Sequence, residues 1–111
     1  MTQLATLKIF FKNEGLCFCY DRAFILLPSN EKILRYEFSS ELKLKLLKEA
    51  AQDIDVASLI LVNHILTAGF KFVSSDSRTI QNGKIIETVQ LWHFECTHFN
   101  DLMTTKKLGL I

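Results

Sequence analysis

The chain has 111 residues, of which 49% are hydrophobic and 23% charged, with nine Phe, one Pro and four Gly. This length and composition fit one domain with a single core, and they exclude a disordered or low-complexity chain. Thirteen basic and twelve acidic residues give a formal net charge of +1, so no overall field favours nucleic acid or an anionic membrane. We therefore expect one domain over residues 1–111.

The N-terminal segment MTQLATLKIFFKNEG lacks the basic start, long apolar stretch and small-residue cleavage site of a secretory signal peptide. The longest apolar segment, 56–68, is interrupted by polar residues and is too short to span a bilayer. These features predict a cytoplasmic protein, with a nuclear location also open, whose three cysteines stay reduced. We expect neither a membrane partner nor a cofactor.

Residues 6–12 and 33–38 alternate apolar and polar side chains, a pattern that is typical of half-buried strands. Residues 23–27 form a short continuous apolar run, which is consistent with a well-covered strand. The first two extended segments flank turn residues and predict a β-hairpin. Two further strands are expected before the pattern changes. The predicted strands cover 6–12, 16–20, 23–27 and 33–38, with turns at Asn13-Glu14-Gly15 and Pro28-Ser29-Asn30.

From Ser40 onward, apolar residues recur every four positions, which predicts an amphipathic helix over 41–52 capped by Ser39 or Ser40. A second helix is predicted over 56–68. It is apolar on nearly every face, so it requires cover on more than one side, from a sheet and, in one interpretation, from another subunit.

The second predicted helix has candidate residues for both of its ends. Asp55 is the predicted N-cap. Gly69, just past the last helical residue, is expected to adopt the left-handed conformation that ends a helix, with Phe70 packing back onto the final turn.

The remainder of the sequence predicts a long hairpin that starts after Gly69. Asn82 and Gly83 form a two-residue hairpin signal. The return strand, 85–97, changes its apolar face along its length, which predicts a bulge or a strand covered on both faces. The tail, 98–111, is expected to dock on the core or on a partner. The fold class is therefore α+β, with a mainly antiparallel sheet of about five to six strands and two helices packed on it.

Cysteine and histidine are the residue types here that are most suited to binding a metal or taking part in catalysis. The candidate zinc ligands are Cys17, Cys19, Cys96 and His98. Positions two apart on a strand are about 6.5–7 Å apart, farther than the ligands of one tetrahedral ion, so we favour buried cysteines that act as small hydrophobes. A small ligand pocket or enzyme site near Cys96, His93 and His98 is the alternative function.

The apolar content exceeds what one small core can hide. Phe10, Phe18 and Phe24 lie on predicted strands whose opposite face is already apolar, which favours self-association or a hydrophobic protein partner. The predicted interaction residues are Phe10, Phe18, Phe24, Leu108 and Leu110. Nucleic-acid binding is disfavoured, and its candidate residues are Lys8, Lys12, Lys71 and Arg78.

Residues 55–96, DVASLILVNHILTAGFKFVSSDSRTIQNGKIIETVQLWHFEC, follow the order apolar helix, Gly-Phe, short strand, polar loop and long strand. This order resembles the C-terminal domains of potassium-channel-tetramerisation-domain (KCTD) proteins and the related GTP cyclohydrolase feedback regulatory protein. The resemblance implies an α+β subunit that assembles into a ring of five and docks on another protein. Gly69 and Phe70 match its motif as structural residues, and no catalytic residue is carried over.

The sequence therefore predicts a protein–protein interaction or regulatory module that forms homo-oligomers through apolar surfaces and binds a protein partner, and it leans against an enzyme. Structural roles are predicted for Asp55, Gly69, Phe70, Asn82 and Gly83.

Overall fold

A computed structural model describes residues 3–14, 17–29, 32–50 and 53–96. Its elements are β1 (Gln3–Glu14), β2 (Cys17–Ser29), β3 (Lys32–Glu37), α1 (Ser40–Ala50), α2 (Ile54–Thr67), β4 (Lys71–Asn82) and β5 (Ile85–Cys96). The strands form one antiparallel sheet in the order β3-β2-β1-β5-β4. Both helices pack on one face of it. The predicted α+β class is confirmed, and the tail at 98–111 lies outside the described residues.

The central strand β1 supplies the floor of the core. Leu7, Ile9 and Phe11 alternate along it and are fully buried beneath the helices. The same cluster contains Leu46 from α1 and Leu61 from α2, so helices and sheet share one core. The alternation predicted for this strand is therefore confirmed.

β2 is one continuous strand of 13 residues, so the prediction of separate strands over 16–20 and 23–27 is wrong. The register against β1 shifts once, and Asp21 is the extra residue of a bulge. Because the bulge reverses the alternation, Tyr20 and Ala23 both lie on the helix-covered face although they are three positions apart. A bent strand of this kind is easily mistaken for two strands in the sequence.

Of the two alternatives predicted for the last strand, the bulge is wrong, because β5 pairs with β1 without a break. The bulge lies instead in β4, where the register shifts between Phe72 and Ser74 and leaves Val73 unpaired. β5 is apolar on two faces because both are covered. Phe94 is buried beneath the helices, and Leu91 is buried on the opposite face.

The N-cap of α2 is Asp53, so the prediction of Asp55 is wrong. Asp53 Oδ1 accepts hydrogen bonds from the backbone N–H groups of Asp55 and Val56, at 3.0 and 3.2 Å. An N-cap must immediately precede the first helical residue to reach these donors, and that residue is Ile54. Asp55 lies inside the first turn. No helix in the described part of the chain has the length and apolar character needed to cross a membrane.

The other structural residues lie close to their predicted positions. Gly69 follows the end of α2 with φ +100°, as predicted. Phe70 is buried. The β4–β5 loop is displaced by one residue, because Asn82 pairs with Ile85 and the two-residue loop begins at Gly83, whose φ is +65°.

The contributions of Asp53 and Asp55 to stability can be distinguished by measurement. We expect Asp53→Ala to lower the free energy of unfolding by about 1 kcal/mol, since two backbone donors lose their acceptor. Asp55→Ala should change it by no more than about 0.5 kcal/mol, because only a charge near the helix N-terminus is lost and Ala favours the helix. Urea unfolding of both variants tests this, and equal losses would contradict the cap assignment.

Candidate interaction surface

α2 has three distinct flanks. One is buried against the sheet, and a second, with Ile60 and His64, borders α1. The third carries Leu59 and Leu66, which are 60% and 39% exposed and lie two helical turns apart in one row. The prediction that this helix needs cover on more than one side is thus met on two flanks, and the third is left open.

β4 is the most exposed element of the sheet. All twelve of its residues are exposed, on both faces. It pairs with β5 along one side, and its outer side pairs with no other strand within the described ranges. An outer strand of this length presents a row of unpaired backbone donors and acceptors, which is a template for another strand.

A shallow groove of about 430 Å³ lies along β4 and β5. It is lined by Ser75, Asp76, Ser77, Gln90 and Trp92. At one end Phe72, which is 43% exposed, contacts Trp92 with ring centroids 5.8 Å apart. We name Leu59, Leu66, Phe72 and the outer edge of β4 the α2–β4 surface.

Gln90 fixes α2 to the floor of this groove. Its Oε1 accepts a hydrogen bond from Trp92 Nε1 at 3.1 Å and lies 2.5 Å from Ser58 Oγ. The Ser58 hydroxyl also lies 2.8 Å from the Ile54 carbonyl oxygen. Because Trp92 can only donate, the Gln90 oxygen must face it, and the single hydroxyl proton of Ser58 then goes to Gln90. This bridge connects α2 to β5.

The opposite face of the sheet carries two of the predicted interaction residues, Phe10 and Phe24. Their rings contact each other with centroids 5.6 Å apart. Arg22 lies 4.0 Å above the Phe10 ring, and Arg35 lies 4.0 Å above the Phe24 ring. The guanidinium groups stack on these rings and cover them, so this face is not an open apolar surface.

The other predicted interaction residues are located differently. Phe18 lies on the helix-covered side of β2, partly buried against the main core. Leu108 and Leu110 lie outside the described residues. The three phenylalanines therefore do not form one surface.

The charged groups are mixed in sign. Lys12 lies 3.3 Å from Asp21, and Arg78 lies 3.6 Å from Asp76. Lys71 approaches Glu95 at 3.9 Å. Since three of the four basic residues considered for nucleic-acid binding lie beside carboxylates, they form no basic track.

The register of β1 separates the candidate zinc ligands. Cys19 pairs with Lys12 near one end of β1, and Cys96 pairs with Gln3 at the other. Nine positions of extended chain span about 30 Å, so the two ends cannot share one ion. In the described part of the chain, no group of three or more His, Cys, Asp or Glu residues is placed to hold a metal.

His93 is engaged on the side of the sheet away from the helices. Its Nδ1 lies 3.1 Å from Thr6 Oγ1, a hydrogen bond between β5 and β1. His98 lies outside the described residues. The alternative site near Cys96, His93 and His98 stays a hypothesis.

Comparisons of the chain with protein-family models, curated proteins and solved structures found no match. The likeness of residues 55–96 to the KCTD C-terminal domains therefore stays a prediction. The α2–β4 surface is therefore a candidate on structural grounds alone.

Sequence reasoning did not single out this surface, although two signals pointed to it. Leu59 and Leu66 repeat at a spacing that places both on one flank of a helix. The stretch SSDSRTIQN in β4 contains a single apolar residue, which is typical of a strand without a covered face.

Tyr20 should make the stability of the protein depend on pH in the alkaline range. Burial of its phenol, with the nearby charges of Asp21 and Glu37, raises its pKa from 10.0 to about 12. The unfolded chain therefore loses this proton first, and the free energy of unfolding should fall between these values, by at most about 1.4 kcal/mol per pH unit. Urea unfolding at several pH values should show an additional fall in the wild type that Tyr20→Phe lacks. Parallel curves would contradict it.

The hydrogen bonds of Gln90 at the floor of the groove should contribute to stability. Gln90→Ala removes the acceptor of Trp92 and Ser58 and should cost about 1–2 kcal/mol of unfolding free energy. Trp92 is the single tryptophan, so its fluorescence should shift to the red. Gln90→Glu keeps the acceptor oxygen and should retain most of the stability. An alanine variant as stable as the wild type would contradict the bridge.

Proposed function

We propose that the chain is a non-enzymatic protein–protein interaction or regulatory module that self-associates through the α2–β4 surface. The observation that carries this proposal is the set of exposed apolar side chains Leu59, Leu66 and Phe72 together with the outer edge of β4, which pairs with no other described strand. Exposed apolar groups that adjoin one another favour association, and a free strand edge adds directional hydrogen bonds to it.

The size of this apolar set favours a second copy as its occupant. Fully burying one such side chain contributes about 1.5–3 kcal/mol, whereas association costs roughly 4–15 kcal/mol in lost freedom. Three side chains from one molecule leave little surplus. A second copy contributes the same three again, which doubles the apolar contribution without requiring a complementary protein.

The arginine-covered face supports this choice by contrast. A partner there would first have to displace Arg22 from Phe10 and Arg35 from Phe24, and Arg35 also donates to Glu37 at 3.0 Å. Displacement would cost the ring contacts and the ion pair. The apolar side chains of the α2–β4 surface, Leu59, Leu66 and Phe72, are by contrast 60%, 39% and 43% exposed.

The resemblance of residues 55–96 adds a ring of five subunits as a form this association could take. A ring needs two different patches on each subunit, which meet head to tail. The sheet has two outer strands, β3 and β4, that could supply them. A pair of subunits needs only one patch that is complementary to itself.

A matched pair of leucines tests the proposal. Leu59 on the α2–β4 surface is 60% exposed, and Leu44 on α1 is 58% exposed. We expect Leu59→Ser to raise the dissociation constant for self-association at least about tenfold, because apolar contact area is lost. Leu44→Ser should leave it unchanged. Sedimentation velocity across a concentration series, in reducing buffer, measures both.

Two results would contradict the proposal. One is a wild-type chain that stays monomeric at high micromolar concentration. The other is an equal effect of the two serine variants, which would place the association elsewhere.

A further inference from the structure

The outer edge of β4 specifies how two copies would meet. We propose that two chains pair through antiparallel β4 strands about a two-fold axis at Ser77 and form one ten-stranded sheet. This inference rests on the proposed self-association and names its interface. It differs from the ring, because the same strand serves both subunits.

Symmetry restricts the possible registers. When a strand pairs with its own copy in antiparallel fashion, the two-fold axis is perpendicular to the sheet, and opposed residues lie on the same face. Each register therefore centres on one residue that faces itself. Both pairs of helices then lie on the same side of the combined sheet.

Charge selects Ser77 as the centre. Asp76 and Arg78 are two positions apart and point to the same face of β4. With the axis at Ser77, each Asp76 lies opposite Arg78 of the second copy, so two complementary pairs form. Centring on Asp76 would oppose two carboxylates, and centring on Arg78 would oppose two guanidinium groups.

The backbone at this position is already arranged for pairing. The Ser77 N–H donates to Asp76 Oδ1 at 2.8 Å. Because β5 occupies the inner side of β4, a side chain can reach this N–H only from the outer edge. Pairing replaces this local bond with one to the Ser77 carbonyl of the second copy. The Asp76 carboxylate, which already lies 3.6 Å from Arg78 of its own chain, then also faces Arg78 of the second copy, so no polar group loses a partner.

The exposed apolar side chains complement the strand pairing. Both helix layers lie on one side of the combined sheet, so Leu59, Leu66 and Phe72 of each copy face the junction. The groove along β4 and β5 is closed by the second chain. Hydrogen bonds along β4 and apolar cover above it therefore act at one interface.

The other outer strand does not offer an equivalent interface. β3 also carries opposite charges two positions apart, Arg35 and Glu37, around Tyr36. A register centred on Tyr36 pairs only three residues per copy, because β3 ends at Glu37. The Ser77 register extends over residues 74–80, seven positions of β4, before the bulge at Val73 interrupts it.

Charge exchange tests the register directly. Asp76→Arg alone and Arg78→Asp alone each place like charges opposite one another, and we expect each to raise the dissociation constant at least about tenfold. An equimolar mixture of the two variants restores both complementary pairs and should return to within about threefold of the wild type. Lys48→Asp on exposed α1 makes the same charge change as Arg78→Asp and should have no effect. Sedimentation velocity measures all four samples.

A disulfide locates the axis. Two Ser77 residues that face each other would have Cα atoms about 5.5 Å apart, within the range that a disulfide bridges. Ser77→Cys should therefore give a covalent dimer on mild oxidation, above the level from the native cysteines. Ser75→Cys is the matched control, because its two copies would lie about 13 Å apart and should not link.

The outcomes separate this inference from the proposed function. An oligomer that persists in both charge variants, has five subunits or gives no additional link with Ser77→Cys would overturn the two-fold pairing and leave self-association standing. A wild-type monomer at high micromolar concentration would overturn both. We expect the mixture of charge variants to recover its self-association and Ser77→Cys to form a disulfide-linked dimer that Ser75→Cys does not form.

Discussion

The pairing of β1 with both β2 and β5 is the constraint on which the rest of the molecule depends. Leu7 lies opposite Ile25 on one side and Trp92 on the other, so residues from both ends of the chain meet across one strand. A slip of one residue would turn the row of Leu7, Ile9 and Phe11 away from the helices. The same register keeps Cys19 and Cys96 at opposite ends of β1, so packing excludes a shared metal site as a by-product.

The exposure of β4 follows from the dimensions of the two layers. Strands are spaced about 4.8 Å apart and packed helices about 8–10 Å apart, so two helices cover roughly four strands. Among the described residues the sheet has five strands, and β4, at the outer edge beyond β5, is exposed along its whole length. The flank of α2 that carries Leu59 and Leu66 is likewise exposed, on the side of the helix away from α1. One deficit in cover thus explains both the exposed strand and the exposed leucines, and it accounts for the apolar surplus of the sequence better than Phe10 and Phe24 do.

Local patterns predicted what local physics determines. The α+β class, the hairpins and the end of α2 at Gly69 followed from periodicity and turn chemistry. The bulge at Asp21 was missed because it reverses the alternation within one strand, and Asp53 was missed because Asp55 has the same chemistry two positions later. The candidate site depends on strand order and on cross-strand neighbours, such as the arginine above each phenylalanine. The alternation of residues within one strand does not predict which strands lie beside it.

The short connection between α2 and β4 has a mechanical consequence. It consists of Ala68, Gly69 and Phe70, with the Ala68 and Gly69 N–H groups bonded to the carbonyls of Ile65 and Leu66 and the Phe70 side chain buried. This short connection leaves little freedom for the start of β4 to move relative to the end of α2. We therefore expect any displacement of the start of β4 to move the last turn of α2 with it.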